Sequence, residues 1–192
     1  MELVFATSNQ NKLRELQDLI PAVFRIKSLN HINCIEEIPE NKTTIEENAS
    51  QKAFYVFEKY HYNCFADDTG LEIEALNGRP GVLSARYAGE GKKADDNMNK
   101  VLAQMQGIID RAARFKTVIS LVIDGKETQF TGVINGTILD EKRGDKGFGY
   151  DPIFMPNDFN NSFAEMDLSE KNKISHRAIA VNKLVEYLKG LG

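Results

Sequence analysis

No apolar run in the chain approaches the roughly 18 residues of a membrane span, and the N-terminus lacks a basic stretch followed by an apolar core and cleavage site. The expectation is a cytoplasmic protein without a membrane partner. Blocks of Lys or Arg are missing too: 24 basic residues are outnumbered by 28 acidic ones, which argues against the broad positive footprint that duplex nucleic acid requires. A small anionic ligand needs only a local group of cations. The two cysteines, Cys34 and Cys64, and the three histidines, His31, His61 and His176, form no close-spaced metal pattern. Zinc is therefore not expected, and any metal should be a hard ion held by oxygen. There is no Walker A sequence, since Gly91-Lys92 is followed by Lys93, and no dinucleotide fingerprint, repeat or low-complexity linker. At 192 residues the chain is read as one domain, residues 1–192, with a core of its own.

What is present is an alternation of strand and helix patterns. Glu2 to Ala6 reads as a buried first strand, and Asn11 to Ile20 as a helix with Leu13, Leu16, Leu19 and Ile20 at helical spacing, ended by Pro21. Phe24 to Lys27 is a second strand, and Leu29 to Asn41 a loop with Glu36, Glu37 and Glu40 around Pro39. Thr44 opens a helix to about Tyr60, with Glu47 three residues on as in a capping box. On it Asn48 and Lys52 share a face, either for one common neighbour or as routine surface polarity. Tyr62 to Ala66 and Leu71 to Leu76 read as two strands, Ala94 to Gln106 as a helix. Arg114 to Asp124 and Lys126 to Leu139 form a long hairpin turning at Asp124-Gly125. On its second arm Gly132 and Gly136 suggest a bulge or a close backbone approach. Ile153 to Met155 and a last helix to about Lys189 complete an α/β pattern.

Four polar stretches stand out, each with an ordinary alternative. Asp67-Asp68-Thr69-Gly70 follows an apolar run, at a strand's C-terminal end where open sheets bind ligands, or in a plain turn; on extended backbone only one of the two carboxylates faces a given cleft. Thr7-Ser8-Asn9-Gln10-Asn11-Lys12 is a strand-to-helix loop that suits phosphate, or a helix cap with a solvated lysine. Gly144 to Pro152 combines glycines with Phe148 and Tyr150, whose faces could stack on a base, or is a plain flexible loop. Lys171 to Arg177 is a cationic entrance to the last helix, or solvated charge.

Together, cations, paired acids and an aromatic glycine loop meet the needs of a nucleoside triphosphate site. The chain resembles the inosine triphosphate pyrophosphatase family, the dITP/XTP pyrophosphatases. The likeness rests on Thr7 to Lys12, Glu46-Glu47-Asn48-Ala49 with Lys52-Ala53, Ala66 to Leu71, Pro80-Gly81 with Ser84 to Gly89, Gly147 to Pro152 and Ser175-His176-Arg177, in the family's order. The resemblance implies an elongated mixed β-sheet flanked by helices, with a cleft between two lobes, in a cytoplasmic homodimer. It implies that Thr7, Ser8, Asn9, Gln10, Asn11 and Lys12 bind triphosphate and that Asp68 is both proton acceptor and Mg²⁺ ligand. Glu40 would share one or more Mg²⁺ ions. Thr69, Phe148, Gly149, Tyr150, Asp151, Lys171, His176 and Arg177 would bind substrate. Thr69 stands where the family commonly has serine, and Asn41-Lys42 where it has Thr-Gly.

The implied reaction releases pyrophosphate from ITP, dITP or XTP, clearing deaminated purines from the nucleotide pool, with Lys12 and Lys171 stabilising the leaving group. Arg177, all donors and no acceptor, would bond the 6-keto oxygen of hypoxanthine or xanthine and leave the amino group of adenine unpaired, at a cost of ~1–3 kcal/mol.

Overall fold

The computed structural model describes residues 2–191. Its strands are β1 (Glu2–Phe5), β2 (Arg25–Ser28), β3 (Cys64–Ile73), β4 (Arg79–Pro80), β5 (Ala112–Ile123), β6 (Lys126–Ile138) and β7 (Phe154–Pro156). They pair in the order β2-β1-β3-β5-β6-β7, with β4 on β3. β1 runs parallel to β2 and β3, whereas β4 is antiparallel to β3 and β7 to β6, so the sheet is mixed. The helices are α1 (Gln10–Leu19), α2 (Ile45–Tyr60), α3 (Ala94–Gln104), α4 (Leu168–Ile174) and α5 (His176–Gly190). This is the expected α/β class, a mixed sheet with helices packed against it.

The chain divides into two compact units. The first comprises the residues up to Asp68, Thr117–Gly132 and those from Arg177 on; the second comprises Thr69–Lys116 and Val133–His176. In the first unit the period of two along each strand sorts the core by face. Val4, Ala6, Cys64, Ala66 and Val122 pack with Ala53 and Val56 of α2. Their neighbours Leu3, Phe5, Phe65 and Leu121 turn the other way, onto Leu16 of α1 and Val181, Leu184 and Leu188 of α5. Phe5 and Phe65 stack there at 4.7 Å between ring centroids. The second unit has a core of its own, in which Leu71, Ile73, Phe115 and Ile138 meet Val101 of α3 and the rings of Phe154 and Phe163.

The hairpin turns as its sequence demands. Asp124 (φ 49°) and Gly125 (φ 77°) both take left-handed backbone, as a two-residue turn between twisted strands requires. Gly136 lies opposite Pro156 of β7, and a Cβ there would stand 2.3 Å from the Met155 carbonyl oxygen, so the close approach foreseen for this glycine is real.

Two expectations are corrected. The strands read at Tyr62 to Ala66 and Leu71 to Leu76 are one strand, β3, running from Cys64 through the paired aspartates to Ile73, after which Glu74–Leu76 forms a 3-10 turn. Asp-Asp-Thr-Gly looked like a chain break because charge inside a strand is costly, but partners on both faces supply the compensation. The cationic segment Lys171 to Arg177 is not one helix entrance. It spans the end of α4, an extended Ser175 (ψ 153°) and the start of α5.

Candidate active site

Strand alternation sends the two central carboxylates to opposite faces of the first unit. Asp67 follows Phe65 toward α1 and α5, and Asp68 follows Ala66 toward α2. On its side Asp67 is buried and accepts from Lys12 Nζ at 2.9 Å and from Arg177 Nε and Nη2 at 3.4 and 3.3 Å. Arg177 Nη1 in turn donates to Glu15 of α1, one turn beyond Lys12. On the other side Lys52 Nζ, buried on α2, bonds both Glu40 Oε1 at 2.5 Å and Asp68 Oδ1 at 3.3 Å.

These partners split the pair electrostatically. Burial by itself would raise the pKa of Asp67, but Lys12 and Arg177 outweigh it and hold the carboxyl well below the usual range. Burial also raises Asp68; there the pull of Lys52 and Lys12 is offset by the negative charges of Glu40 and Asp67, and the net shift is upward. Asp67 is thus the anchored anion of the pair and Asp68 the more basic one. Burial outweighs Asp67 at Lys12 and lowers its pKa, whereas at Lys52 the carboxylates of Asp68 and Glu40 overcome burial and raise it.

Glu40 and Asp68, gathered around one ammonium, are hard oxygen donors. Among the described residues no three His, Cys, Asp or Glu side chains are placed to hold a metal alone. Two carboxylates completed by ligand oxygens and water suit Mg²⁺, which keeps several waters and seldom has an all-protein cage. The donor set therefore fits that ion.

The loop before α1 is built around Asn9. As helix cap, its side chain accepts from the Asn11 and Lys12 amides at 2.9 and 3.3 Å, while its own amide donates to Thr7 Oγ1 at 3.2 Å. Ser8, Gln10 and Asn11 are exposed. The capping alternative is thus realised, but Lys12 is not solvated: its head reaches Asp67.

In the second unit the glycine loop is fixed from beneath. Asp151 Oδ2 accepts from the Phe148 amide at 2.8 Å and from Lys171 Nζ at 2.7 Å. A Cβ on Gly147 (φ 73°) would meet that same oxygen at 2.1 Å, so only glycine fits. Lys171 Nζ lies 4.9 Å from the centre of the half-buried Phe148 ring. Tyr150 corrects an expectation: its ring is buried in the core and its hydroxyl donates to the Ser84 carbonyl at 2.8 Å, so it offers no face for stacking. His176 is buried and stacks on Phe115 at 4.6 Å. Thr69 opens the unit half-buried, and Gly149 takes left-handed backbone (φ 65°). Arg177, in the first unit, faces carboxylates with all three nitrogens of its fork, so bonding a 6-keto oxygen would require it to exchange one of them.

Sequence reasoning missed the parts played by Asp67 and Glu15, and left Lys52 between a shared neighbour and routine surface pairing. For Lys52 a signal existed, a lysine set between Ala49, Ala53 and Val56 on the apolar stripe of α2 where it should be solvated only at a price in burial. Glu15 carried none, being one charge among several on an amphipathic helix.

A model of the Ham1 family matches residues 3–187. The chain is 57% identical over 188 residues to a dITP/XTP pyrophosphatase of Christiangramia forsetii, covering 98% of this chain and 99% of that one. It is 46% identical over 191 residues to a dITP/XTP pyrophosphatase of Bacillus subtilis, covering 97% and 96%. Among solved structures, the Ham1 protein of Staphylococcus aureus superposes with a TM-score of 0.92 at 37% identity, covering 100% of both chains.

Proposed function

The chain belongs to the Ham1 family, and from that premise we propose that it is a nucleoside triphosphate pyrophosphatase cleaving dITP, ITP and XTP between the α- and β-phosphates. The products are the nucleoside monophosphate and pyrophosphate. The observation that carries this reading is the unequal aspartate pair, with Asp67 locked between cations and Asp68 left basic beside Lys52 and Glu40.

Water attacks the phosphoanhydride and gives its proton to Asp68. Glu40 and Asp68 would hold Mg²⁺, which supplies neutralisation of phosphate charge and a lower pKa for nearby water. Lys12 and the polar groups of Thr7, Ser8, Asn9, Gln10 and Asn11 take the triphosphate, at a helix N-terminus that favours anions. Lys52 holds Asp68 and Glu40 in mutual reach. Phe148 presents its ring to the base, in a loop braced by Gly149, Tyr150, Asp151 and Lys171. Thr69, His176 and Arg177 complete the binding groups, Arg177 by exchanging a carboxylate for the 6-keto oxygen. The whole chain, 1–192, is proposed to work as one catalytic domain, in a cytoplasmic homodimer.

The deciding experiment incubates the protein with dITP, XTP, dATP and dGTP, with and without Mg²⁺, and identifies the phosphate product. Pyrophosphate from dITP and XTP, dependent on Mg²⁺, is expected; orthophosphate would reject the bond assignment, and no turnover would leave a nucleotide-binding module. In the same assay Arg177→Lys, which loses the planar fork, is expected to narrow the dITP to dATP ratio of kcat/KM by roughly ten- to a hundredfold. An unchanged ratio in a folded variant would remove Arg177 from base selection.

A further inference from the structure

The segment that carries Glu40 runs along α2 in antiparallel order, bonded to that helix through Glu36 at one end and through Glu40, Asn41 and Lys42 at the other. Glu36 Oε1 accepts from Tyr55 Oη at 3.0 Å, Lys59 Nζ at 2.6 Å and Tyr60 Oη at 2.5 Å. Next come Glu40 on Lys52, then Asn41, whose amide donates to Gln51 Oε1 at 3.2 Å and whose side-chain oxygen accepts from Gln51 Nε2 at 2.8 Å. Last, the Lys42 amide donates to Asn48 Oδ1 at 2.9 Å and its carbonyl accepts from Asn48 Nδ2 at 3.4 Å. Asn48, Lys52, Tyr55 and Lys59 recur at three- and four-residue intervals, so they form one face of the helix. Ile38 packs into the core between the two bonded ends.

We propose that Glu36 to Lys42 is a strap zipped onto α2 whose purpose is to set Glu40 beside Asp68, and that Asn41 and Gln51 are positioning residues for metal use. This rests on the reading of Glu40 and Asp68 as metal ligands. Glu40 is itself more than a third exposed, with 37% of its side chain open to solvent. Lys52 Nζ bonds its Oε1 at 2.5 Å, and a half-open carboxylate on an unrestrained loop would spend much of its time away from the site. Bonds on both flanks remove that freedom before the ion arrives, which is preorganisation of a ligand. The reciprocal Asn41 and Gln51 pair lies directly next to Glu40 and touches neither Asp68 nor the nucleotide-binding groups proposed above, so its effect should pass through Glu40 alone.

The test uses the full chain as wild type, Asn41→Ala, Gln51→Ala and the double variant. Hydrogen exchange at the Asn41 and Lys42 amides reads the strap directly. The Mg²⁺ dependence of dITP turnover, and calorimetric titration of Mg²⁺ into protein carrying α,β-methylene-ITP, read its consequence. Each single variant is expected to speed exchange at Asn41 and to raise both the Mg²⁺ activation constant and the Mg²⁺ dissociation constant by roughly three- to tenfold, with kcat at saturating Mg²⁺ kept within about twofold. The double variant should be little worse than either single one, because the two residues form one pair. Faster exchange with unchanged Mg²⁺ constants would overturn the proposal while leaving the metal reading intact. So would a fall in kcat at every Mg²⁺ concentration with those constants unmoved. A wild-type enzyme indifferent to Mg²⁺ would overturn the metal reading and the strap's purpose with it.

Discussion

Asp68→Asn is expected to lower kcat by about a hundred- to ten-thousandfold, the usual range for loss of a general base, while the protein stays folded. Asparagine matches aspartate in shape and keeps an oxygen for the Lys52 ammonium, but it cannot take a proton from water and is a poor ligand for a hard cation. Stability should move little, for a reason visible in the electrostatics. The folded-state pKa of Asp68 is raised, chiefly by burial. A raised carboxyl favours folding only where it is protonated; that contribution is present below the unfolded pKa and is lost as pH rises through the folded one. At neutral pH the charged Asp68 is therefore a strained group, and exchanging it for a neutral amide offsets much of what the lost pair with Lys52 costs. Steady-state turnover of dITP alongside urea denaturation at pH 7 checks both halves. An Asp68→Asn enzyme with near-normal kcat, and an inactive but folded Asp67→Asn, would reverse the assignment of the two carboxylates.

How much of this was legible beforehand follows from which signals are local. Period-two alternation and the Asp124-Gly125 turn are properties of short windows, so β1, the long hairpin and the apolar stripe of α2 could be read directly. The fate of Asp67 and Asp68 could not, because it depends on Lys12, Lys52 and Arg177, distant along the chain. A window that sees only Asp-Asp-Thr-Gly registers unpaired charge and breaks the strand. The same blindness misjudged Tyr150, whose ring looks available in a glycine loop and is claimed by the second unit's core. It also hid the break at Ser175, since Lys171 to Arg177 has no proline or glycine to mark it. Resemblance to a family singled out Lys12, Asp68 and Arg177 as candidates, but the different partners of Asp67 and Asp68 became visible only in the contacts.

The division is sharpest at Asp67. Asp67→Ala is expected to destabilise the protein by ~3–5 kcal/mol, the range for removing one member of a buried ion pair. Asp67, Lys12 and Arg177 expose only 2%, 13% and 3% of their side chains, so solvent offers the two stranded cations little compensation. The methyl side chain also leaves a void where a carboxylate stood. The pH dependence separates this ionic loss from simple loss of packing. Because Lys12 and Arg177 depress the folded-state pKa of Asp67, its contribution is present above the unfolded value of about 3.9 and is lost as pH falls through the lower folded value. The gap between wild type and Asp67→Ala should hold steady from pH 7 to about 4 and then close on further acidification, as followed by urea denaturation at each pH. A gap that persists unchanged into strong acid would assign the loss to packing alone. A loss below about 1 kcal/mol at pH 7 would mean that Lys12 and Arg177 regain water once released, and that the α1 side of the site is held by Glu15 and the apolar contacts beneath it.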